Sequence, residues 1–212
     1  MSIRTILFDL DETLIDTNEL IISSFEHTLQ HFRPNEFKRE DILQFIGPPL
    51  ADTFKQVAPD KIDDMIEVYR AHNLEHHDEL VTPFDGVVDT IKQLKEEGYQ
   101  LGIVTTKIKS TAIRGLEVTG LAPYFNVIIG LDDVTNAKPD PEPVNKGMAA
   151  FGAKPEETMM IGDNHHDILS GQNAGTKTAG VAWTIKGRET LEKLNPTYML
   201  DHISDLRKIL RK

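Results

Sequence analysis

The sequence predicts an α/β protein with a parallel sheet and a helical domain inserted after the first strand. Five short apolar runs are typical of buried strands, and most are followed by a segment with helical periodicity. Between the first and second runs, about 65 residues show helical periods and no strand pattern. Alternation of strands and helices indicates right-handed crossovers, so we expect a Rossmann-like sheet with helices on both faces.

The first predicted strand is Thr5-Ile-Leu-Phe8, and later strands are predicted over 101–105, 127–129, 158–161 and 178–182. Val87, Ile91 and Leu94 recur at helical spacing, and this helix should stop at Gly98, which suits a left-handed cap. Further helices are predicted over 112–118, 141–150, 167–173 and 203–210.

Three apolar stripes predict helices within the insertion. They comprise Leu20, Ile21, Ser24, Phe25 and Leu29; Ile42, Phe45 and Ile46, ended by Gly47-Pro48-Pro49; and Met65, Ile66, Tyr69 and Leu74. We therefore expect residues 1–14 and 82–212 to form the α/β core domain. Residues 15–81 should form a helical cap domain, with hinges at 14–16 and 80–83.

Composition excludes several classes of protein. The chain has 212 residues, a formal charge of -11 and no cysteine, which excludes a disulfide scaffold, a zinc ribbon and a cysteine hydrolase. The acidic balance argues against nucleic acid as a partner, since binding to phosphate backbones requires a basic face. No stretch approaches the length of a membrane span, and the first residues lack the apolar core of a secretory signal, so we expect a cytoplasmic protein.

Polar residues follow four of the predicted strands. Asp9 and Asp11 come after the first strand, Thr105 ends the second, Lys138 follows the third, and Asp163 follows the fourth. Open parallel sheets bind ligands at the carboxyl ends of their strands. These acids, the hydroxyl and the lysine are therefore expected to meet in one crevice.

These residues also carry a resemblance to a known family. Asp9-Leu-Asp11-Glu-Thr13, Thr105, Lys138, and Gly162-Asp163 with Asp167 resemble, in order, the four motifs of the haloacid dehalogenase superfamily of phosphohydrolases, and the resemblance covers nearly the whole chain. One position departs from the usual pattern, because Glu12 stands where the family usually has glycine. If this position needs a positive φ, glutamate is costly; otherwise it adds a negative charge beside the site.

The resemblance implies a role for each motif residue. Asp9 would be the nucleophile that forms a phosphoaspartyl enzyme, and Asp11 the general acid and base. Thr105 and Lys138 would contact the phosphoryl oxygens. Mg²⁺ would be held by Asp9, Asp163 and the backbone carbonyl of Asp11, with Asp167 in an outer position. The chemistry is coherent, because a carboxylate can attack a phosphoryl group only when cations offset the repulsion between them.

Other stretches bear on the substrate. Ile46-Gly47-Pro48-Pro49-Leu50 resembles the cap loop of the phosphoglycolate-phosphatase-like branch, and segments such as 138–143 and 171–181 are similar to bacterial pyrophosphatases of that branch. The resemblance implies magnesium-dependent hydrolysis of pyrophosphate released when phosphoserine-HPr is dephosphorylated. A phosphatase of phosphoglycolate or another small metabolite, a sugar-phosphate mutase, and an inactive binding module are the alternatives. Expected substrate-binding residues are Thr13, Thr106, Lys107 and Gly47.

Two further patterns have alternative interpretations. The aspartates after the first strand do not fit an EF-hand, since Leu14 occupies the sixth position, where that loop requires glycine. His72 and His76 are four residues apart and leave open a structural transition-metal site, although ordinary surface positions are the simpler interpretation. His165 and His166 lie inside the fourth motif and are candidates for substrate contact.

Overall fold

The computed structural model describes residues 2–211, which form two compact units. The first unit comprises the chain up to Asp16 and from Thr82 onwards, and the second spans Thr17–Val81. In chain order the elements are β1 (Thr5–Phe8), β2 (Ile15–Asp16), α1 (Asn18–Phe32), α2 (Arg39–Ile42), α3 (Leu50–Val57), α4 (Ile62–Leu80), β3 (Thr82–Pro83), α5 (Val87–Glu96), β4 (Gln100–Val104), α6 (Lys109–Val118), β5 (Val127–Ile129), α7 (Glu142–Phe151), β6 (Thr158–Gly162), α8 (His165–Asn173), β7 (Lys177–Val181), α9 (Arg188–Glu192), β8 (Tyr198–Leu200) and α10 (Asp205–Leu210).

The first unit is built around a parallel sheet with the strand order β5-β4-β1-β6-β7-β8. Each neighbouring pair is parallel, and β1 lies between β4 and β6 with Ile6 opposite Leu101 and Met159. The residues of β1 are buried, as expected for an apolar strand covered on both faces. The predicted α/β class is confirmed.

The core beneath the sheet joins strands to helices. Leu7 of β1, Val104 of β4 and Met160 of β6 pack in one buried cluster with Val144 and Met148 of α7. Packing of this kind fixes the strands relative to each other, and therefore also the loops that leave their carboxyl ends.

Glycine ends α5 as the sequence predicts. The helix stops at Glu96, and Gly98 follows with φ 90°, a left-handed conformation that glycine adopts without a Cβ clash. The backbone N–H of Gly98 donates to the carbonyl of Lys95 at 3.1 Å, which satisfies one of the last carbonyls of the helix.

Several strand predictions need correction. β8 was not predicted, and β4 ends at Val104, so that Thr105 lies just beyond the strand. The segments expected as hinges contain a short antiparallel pair that was not predicted, in which Ile15 of β2 lies opposite Pro83 of β3. β2 and β3 have only two residues each, too few to display a hydrophobic period.

The second unit consists of α1 to α4 with a core of its own. Phe25 contacts Phe45, Phe54 and Tyr69, with ring centroids 4.9 to 5.8 Å apart. Leu74 was predicted to join the apolar stripe of α4, but it is 53% exposed. The buried face of α4 instead repeats every four residues and takes in polar side chains, namely Met65, Tyr69, Asn73 and His77.

A helix that crosses a bilayer needs about 20 predominantly apolar residues. Among residues 2–211, none of the helices is both long and apolar enough to cross a membrane.

Candidate active site

The loop after β1 holds the first two aspartates in fixed positions. The backbone N–H of Asp9 donates to the carbonyl of Ile161 at 2.8 Å, which extends the ladder between β1 and β6 by one residue. The chain then turns tightly, and the carbonyl of Leu10 accepts hydrogen bonds from Leu14 at 2.9 Å and Ile15 at 3.2 Å. Asp9 and Asp11 are therefore anchored at the carboxyl edge of the sheet.

Lys138 reaches this edge from the loop before α7. Its Nζ lies 2.9 Å from Asp9 Oδ1, 2.5 Å from Asp167 Oδ1 and 2.9 Å from the carbonyl oxygen of Val104. An ammonium group has three hydrogens to donate, so these acceptors use all of them. The side chain is 2% exposed, and the lysine serves as a buried cation between two carboxylates.

Three carboxylates form the centre of the site. Asp9, Asp163 and Asp167 each place one oxygen so that the three atoms lie within 4.8 Å of one another. Asp167 is held in the first turn of α8, where its Oδ2 accepts from the backbone N–H of Asn164 at 3.0 Å. Gly162 leaves room for this carboxylate, because a Cβ at position 162 would overlap the Asp167 side chain.

A second ion pair lies on the β4 side of the site. Lys107 Nζ is 2.7 Å from Asp11 Oδ1. The backbone N–H of Lys107 also donates to Thr105 Oγ1 at 3.1 Å, and the N–H of Thr105 donates to the carbonyl of Ile129 at 3.0 Å. The chain just beyond β4 thus supplies a hydroxyl and a cation, and the cation pairs with the loop after β1.

The remaining predicted substrate-binding residues fall in different places. Thr13 is fully buried, and its hydroxyl donates a hydrogen bond to Asp163 Oδ1 at 3.3 Å. In this structure its hydroxyl therefore orients a carboxylate of the cluster. Thr106 is half-buried between Thr105 and Lys107. Gly47 belongs to the second unit and has φ 111°, in the region that favours glycine.

Burial dominates the electrostatics of the acids. It raises the pKa of Asp9 to about 7, against the lowering effect of Lys138. Burial, followed by the charges of Asp167, Asp9 and Glu12, holds the pKa of Asp163 well above its usual range. Burial opposes the charge of Lys138, but Asp167 and Asp9 outweigh it and raise the pKa of the lysine. The cluster therefore sets three acids, Asp9, Asp163 and Asp167, against one buried lysine.

This imbalance, together with the type of ligand atoms, fits a hard divalent cation. Mg²⁺ prefers carboxylate and carbonyl oxygens, and it is commonly bound through one or two carboxylates. The three buried acids supply such oxygens within one small volume. A dication at this position would offset both the burial and the charge repulsion that raise the pKa of Asp163.

Sequence reasoning did not select Lys186, which lies on the loop after β7. This half-buried lysine lowers the pKa of both His165 and His166, although burial is the larger cause for each histidine. The strand-end rule that selected Asp9 and Asp163 would have found Lys186 if it had been applied after the last predicted strand.

The histidines of the second unit are close to one another. The rings of His72 and His76 have centroids 4.5 Å apart, and His27 stacks on His72 at 4.6 Å. Among residues 2–211, the group of three potential metal ligands whose atoms lie within 4.8 Å of one another consists of Asp9, Asp163 and Asp167. The histidines of the second unit are not part of it.

The chain is similar to known hydrolases over nearly its whole length. A family model described as haloacid dehalogenase-like hydrolase matches residues 6–181. Pyrophosphatase PpaX from Anoxybacillus flavithermus is 60% identical over 210 residues, covering 99% of this chain and 98% of the relative. Pyrophosphatase PpaX from Bacillus pumilus is 59% identical, covering 97% and 95%. A solved haloacid dehalogenase-like family hydrolase from Streptococcus pneumoniae is similar with a TM-score of 0.88 and 25% identity, covering 98% of each chain.

Proposed function

Because the chain belongs to the haloacid dehalogenase-like hydrolase family, we propose that it is a magnesium-dependent inorganic pyrophosphatase that works through a phosphoaspartyl intermediate on Asp9. The observation that carries the substrate is the 60% identity, over 99% of the chain, to a protein named pyrophosphatase. The proposal includes a cytoplasmic location, and pyrophosphate released by dephosphorylation of phosphoserine-HPr as the source of substrate.

The acidic cluster supports the first step. Asp9 is the least enclosed of the acids that contact Lys138, with 12% of its side chain exposed against 2% for Asp167. Its carboxylate oxygen would attack the nearer phosphorus, so that a bond between Asp9 and phosphorus forms as the bridging bond breaks. Asp9, Asp163 and the backbone carbonyl of Asp11 would hold Mg²⁺, whose charge offsets the repulsion between carboxylate and phosphoryl oxygens.

Lys138 and Asp167 support the nucleophile. Lys138 fixes one oxygen of Asp9 at 2.9 Å and is itself held by Asp167 at 2.5 Å, so the attacking group is oriented before substrate binds. Thr105 follows β4 at the same edge of the sheet, where its hydroxyl could donate to a phosphoryl oxygen.

Asp11 is proposed to move the protons. It would protonate the departing phosphate and then accept a proton from the water that attacks the phosphoaspartyl group, which restores Asp9 and releases the second phosphate. Phosphate is a far better leaving group than an alkoxide, so the demand on Asp11 as an acid is smaller than for a sugar phosphate or phosphoglycolate.

A phosphate-release assay tests the proposal. Pyrophosphate, phosphoglycolate and a sugar phosphate would be compared at equal concentration, with Mg²⁺ and with EDTA. We expect pyrophosphate to have the highest kcat/KM and EDTA to abolish its hydrolysis. A preference for phosphoglycolate would contradict the substrate, and full activity in EDTA would contradict the metal requirement.

A further inference from the structure

The loop after β7 brings one more cation to the acidic cluster. β7 runs parallel to β6, with Gly180 opposite Gly162, so the chain beyond Val181 leaves the sheet beside Asp163. The loop is held in shape by its backbone: Ala182 N–H donates to the carbonyl of Leu200 at 2.8 Å, and Gly187 N–H donates to the carbonyl of Thr184 at 3.1 Å.

Lys186 lies in this turn, on the loop that leaves β7 beside the fourth motif. Its backbone N–H donates to Thr184 Oγ1 at 3.4 Å, which fixes the start of the side chain, and the residue is half-buried. Burial lowers the pKa of Lys186, against the raising effect of Asp163 and Asp167. Both carboxylates therefore act electrostatically on this lysine.

Three lysines of the first unit, Lys107, Lys138 and Lys186, belong to different segments around the site. Lys138 has its three hydrogens committed to Asp9, Asp167 and a backbone carbonyl. Lys107 follows β4 and pairs with Asp11. In the strand order β4-β1-β6-β7, Lys107 and Lys186 flank the strands that carry the first and fourth motifs. A diphosphate has two phosphoryl groups, and only one of them can lie against Asp9.

We infer that Lys186 binds the oxygens of the departing phosphoryl group and thereby selects diphosphates over simple phosphate monoesters. This inference rests on the proposed pyrophosphatase function and assigns it a specificity-determining residue. A monoester with an uncharged leaving group has nothing for this lysine to bind, whereas the leaving phosphate of pyrophosphate offers several anionic oxygens.

The test compares Lys186→Met and Lys186→Arg with a matched control, Lys177→Met. Lys177 is an exposed residue at the opposite end of β7. For Lys186→Met, we expect kcat/KM for pyrophosphate to fall on the order of 10- to 100-fold, the range for a lost hydrogen bond to a charged group, while kcat/KM for p-nitrophenyl phosphate changes less than about threefold. Lys186→Arg should keep most of the pyrophosphate activity, and Lys177→Met should match the wild type on both substrates.

The assay distinguishes failure of the Lys186 role from failure of the proposed pyrophosphatase function. If the wild type hydrolyses pyrophosphate but Lys186→Met loses activity equally on both substrates, or on neither, the role of Lys186 is wrong while the proposed function stands. If the wild type does not hydrolyse pyrophosphate, the proposed function fails, and the inference fails with it. Thermal melts of each variant, together with the Lys186→Arg protein, separate loss of binding from loss of folding.

Discussion

Glu12 combines two unfavourable features at a single residue. Its φ is 60°, in the left-handed region where a side chain costs roughly 1 kcal/mol, and the residue is 1% exposed. Its charge is also one of the causes that raise the pKa of Asp163. The sequence left open whether this position needs a positive φ or simply adds a negative charge, and the structure shows that both apply.

Glycine at position 12 should therefore stabilise the metal-free protein. For Glu12→Gly we expect the free energy of unfolding to rise by about 1 kcal/mol, because the left-handed strain and the repulsion with Asp163 are both removed. Urea unfolding in EDTA measures the change. Asn35→Gly is the matched control, since Asn35 is exposed with φ 64° and asparagine tolerates this region, so little change is expected. A loss of stability in Glu12→Gly would contradict the interpretation.

The raised pKa of Asp9 predicts how stability depends on pH. Folding raises this pKa from 3.8 to about 7, so the folded protein binds the proton more tightly than the unfolded chain does. In the absence of metal, stability should therefore fall as pH rises from about 4 to about 7, and Asp163 should act in the same direction. Mg²⁺ must displace these protons, so its stabilising effect should grow over the same range.

Thermal melts with Mg²⁺ and with EDTA at about pH 6 and about pH 8 measure this dependence. We expect the shift in Tm caused by Mg²⁺ to be larger at the higher pH, and Asp9→Asn to remove part of the fall in stability of the metal-free protein. A magnesium shift that is equal at both pH values would contradict the assignment of the acids as metal ligands.

At the level of elements, the strand ends were predictable because the apolar runs are unambiguous. Thr5–Phe8 and Thr158–Gly162 are continuous buried strands, and the chemistry follows them directly. β8 escaped prediction because Tyr198–Leu200, unlike the equally short Val127–Ile129 of β5, contains no β-branched side chain. Leu74 was misplaced because apolar character alone does not show which face of α4 is buried when that face includes Asn73 and His77.

The junction of β6 and α8 is where one added methyl group should have the largest effect. Gly162→Ala would push the Asp167 side chain away from Lys138 and leave a buried charge without its partner. We expect a loss of about 3 kcal/mol or more in the free energy of unfolding, measured in urea. Gly152→Ala is the control, since its φ is 63° but a Cβ there meets open space, and it should lose only about 1 kcal/mol. Equal losses would contradict the role of Gly162.

Across the whole molecule, charge is distributed unevenly. Residues 15–81 contain 14 acids and 6 bases, a net charge of -8, so the remaining chain is only -3. The lysines near the acidic cluster, Lys107, Lys138 and Lys186, all belong to the first unit. We therefore expect binding of a small anion to depend on these local cations rather than on the global balance, which by itself suggested that anions would be repelled.

Most of the candidate site could be predicted from the order of its motifs, whereas the strand-end rule could flag Lys186 but could not place it beside the fourth motif. Asp9, Lys138 and Asp163 stand directly after apolar runs or in recognisable motifs. The position of Lys186 depends on the pairing of β6 with β7, and strand order is a long-range property that hydrophobic periodicity does not contain.

The separate core of the second unit leads to a prediction about stability. Phe54 is fully buried in that core, and Phe54→Ala should cost about 3–5 kcal/mol. Hydrogen exchange should then accelerate across Thr17–Val81 while the amides of β1 and β6 remain protected. Leu74→Ala is the control, because this leucine is exposed and its truncation should change stability by less than about 0.5 kcal/mol. Equal acceleration in both units would show that they unfold together.

The most direct test of the central claim is to trap the phosphoaspartyl group during turnover. The protein would be mixed with pyrophosphate and Mg²⁺ and quenched with borohydride, which reduces an acyl phosphate of aspartate to homoserine, and the position would be located by peptide mass spectrometry. We predict homoserine at position 9 in the wild type and in Asp89→Asn, an exposed acid on α5, with neither homoserine nor turnover in Asp9→Asn. Pyrophosphate hydrolysis by the wild type without modification at position 9, or substantial turnover by Asp9→Asn, would contradict the mechanism.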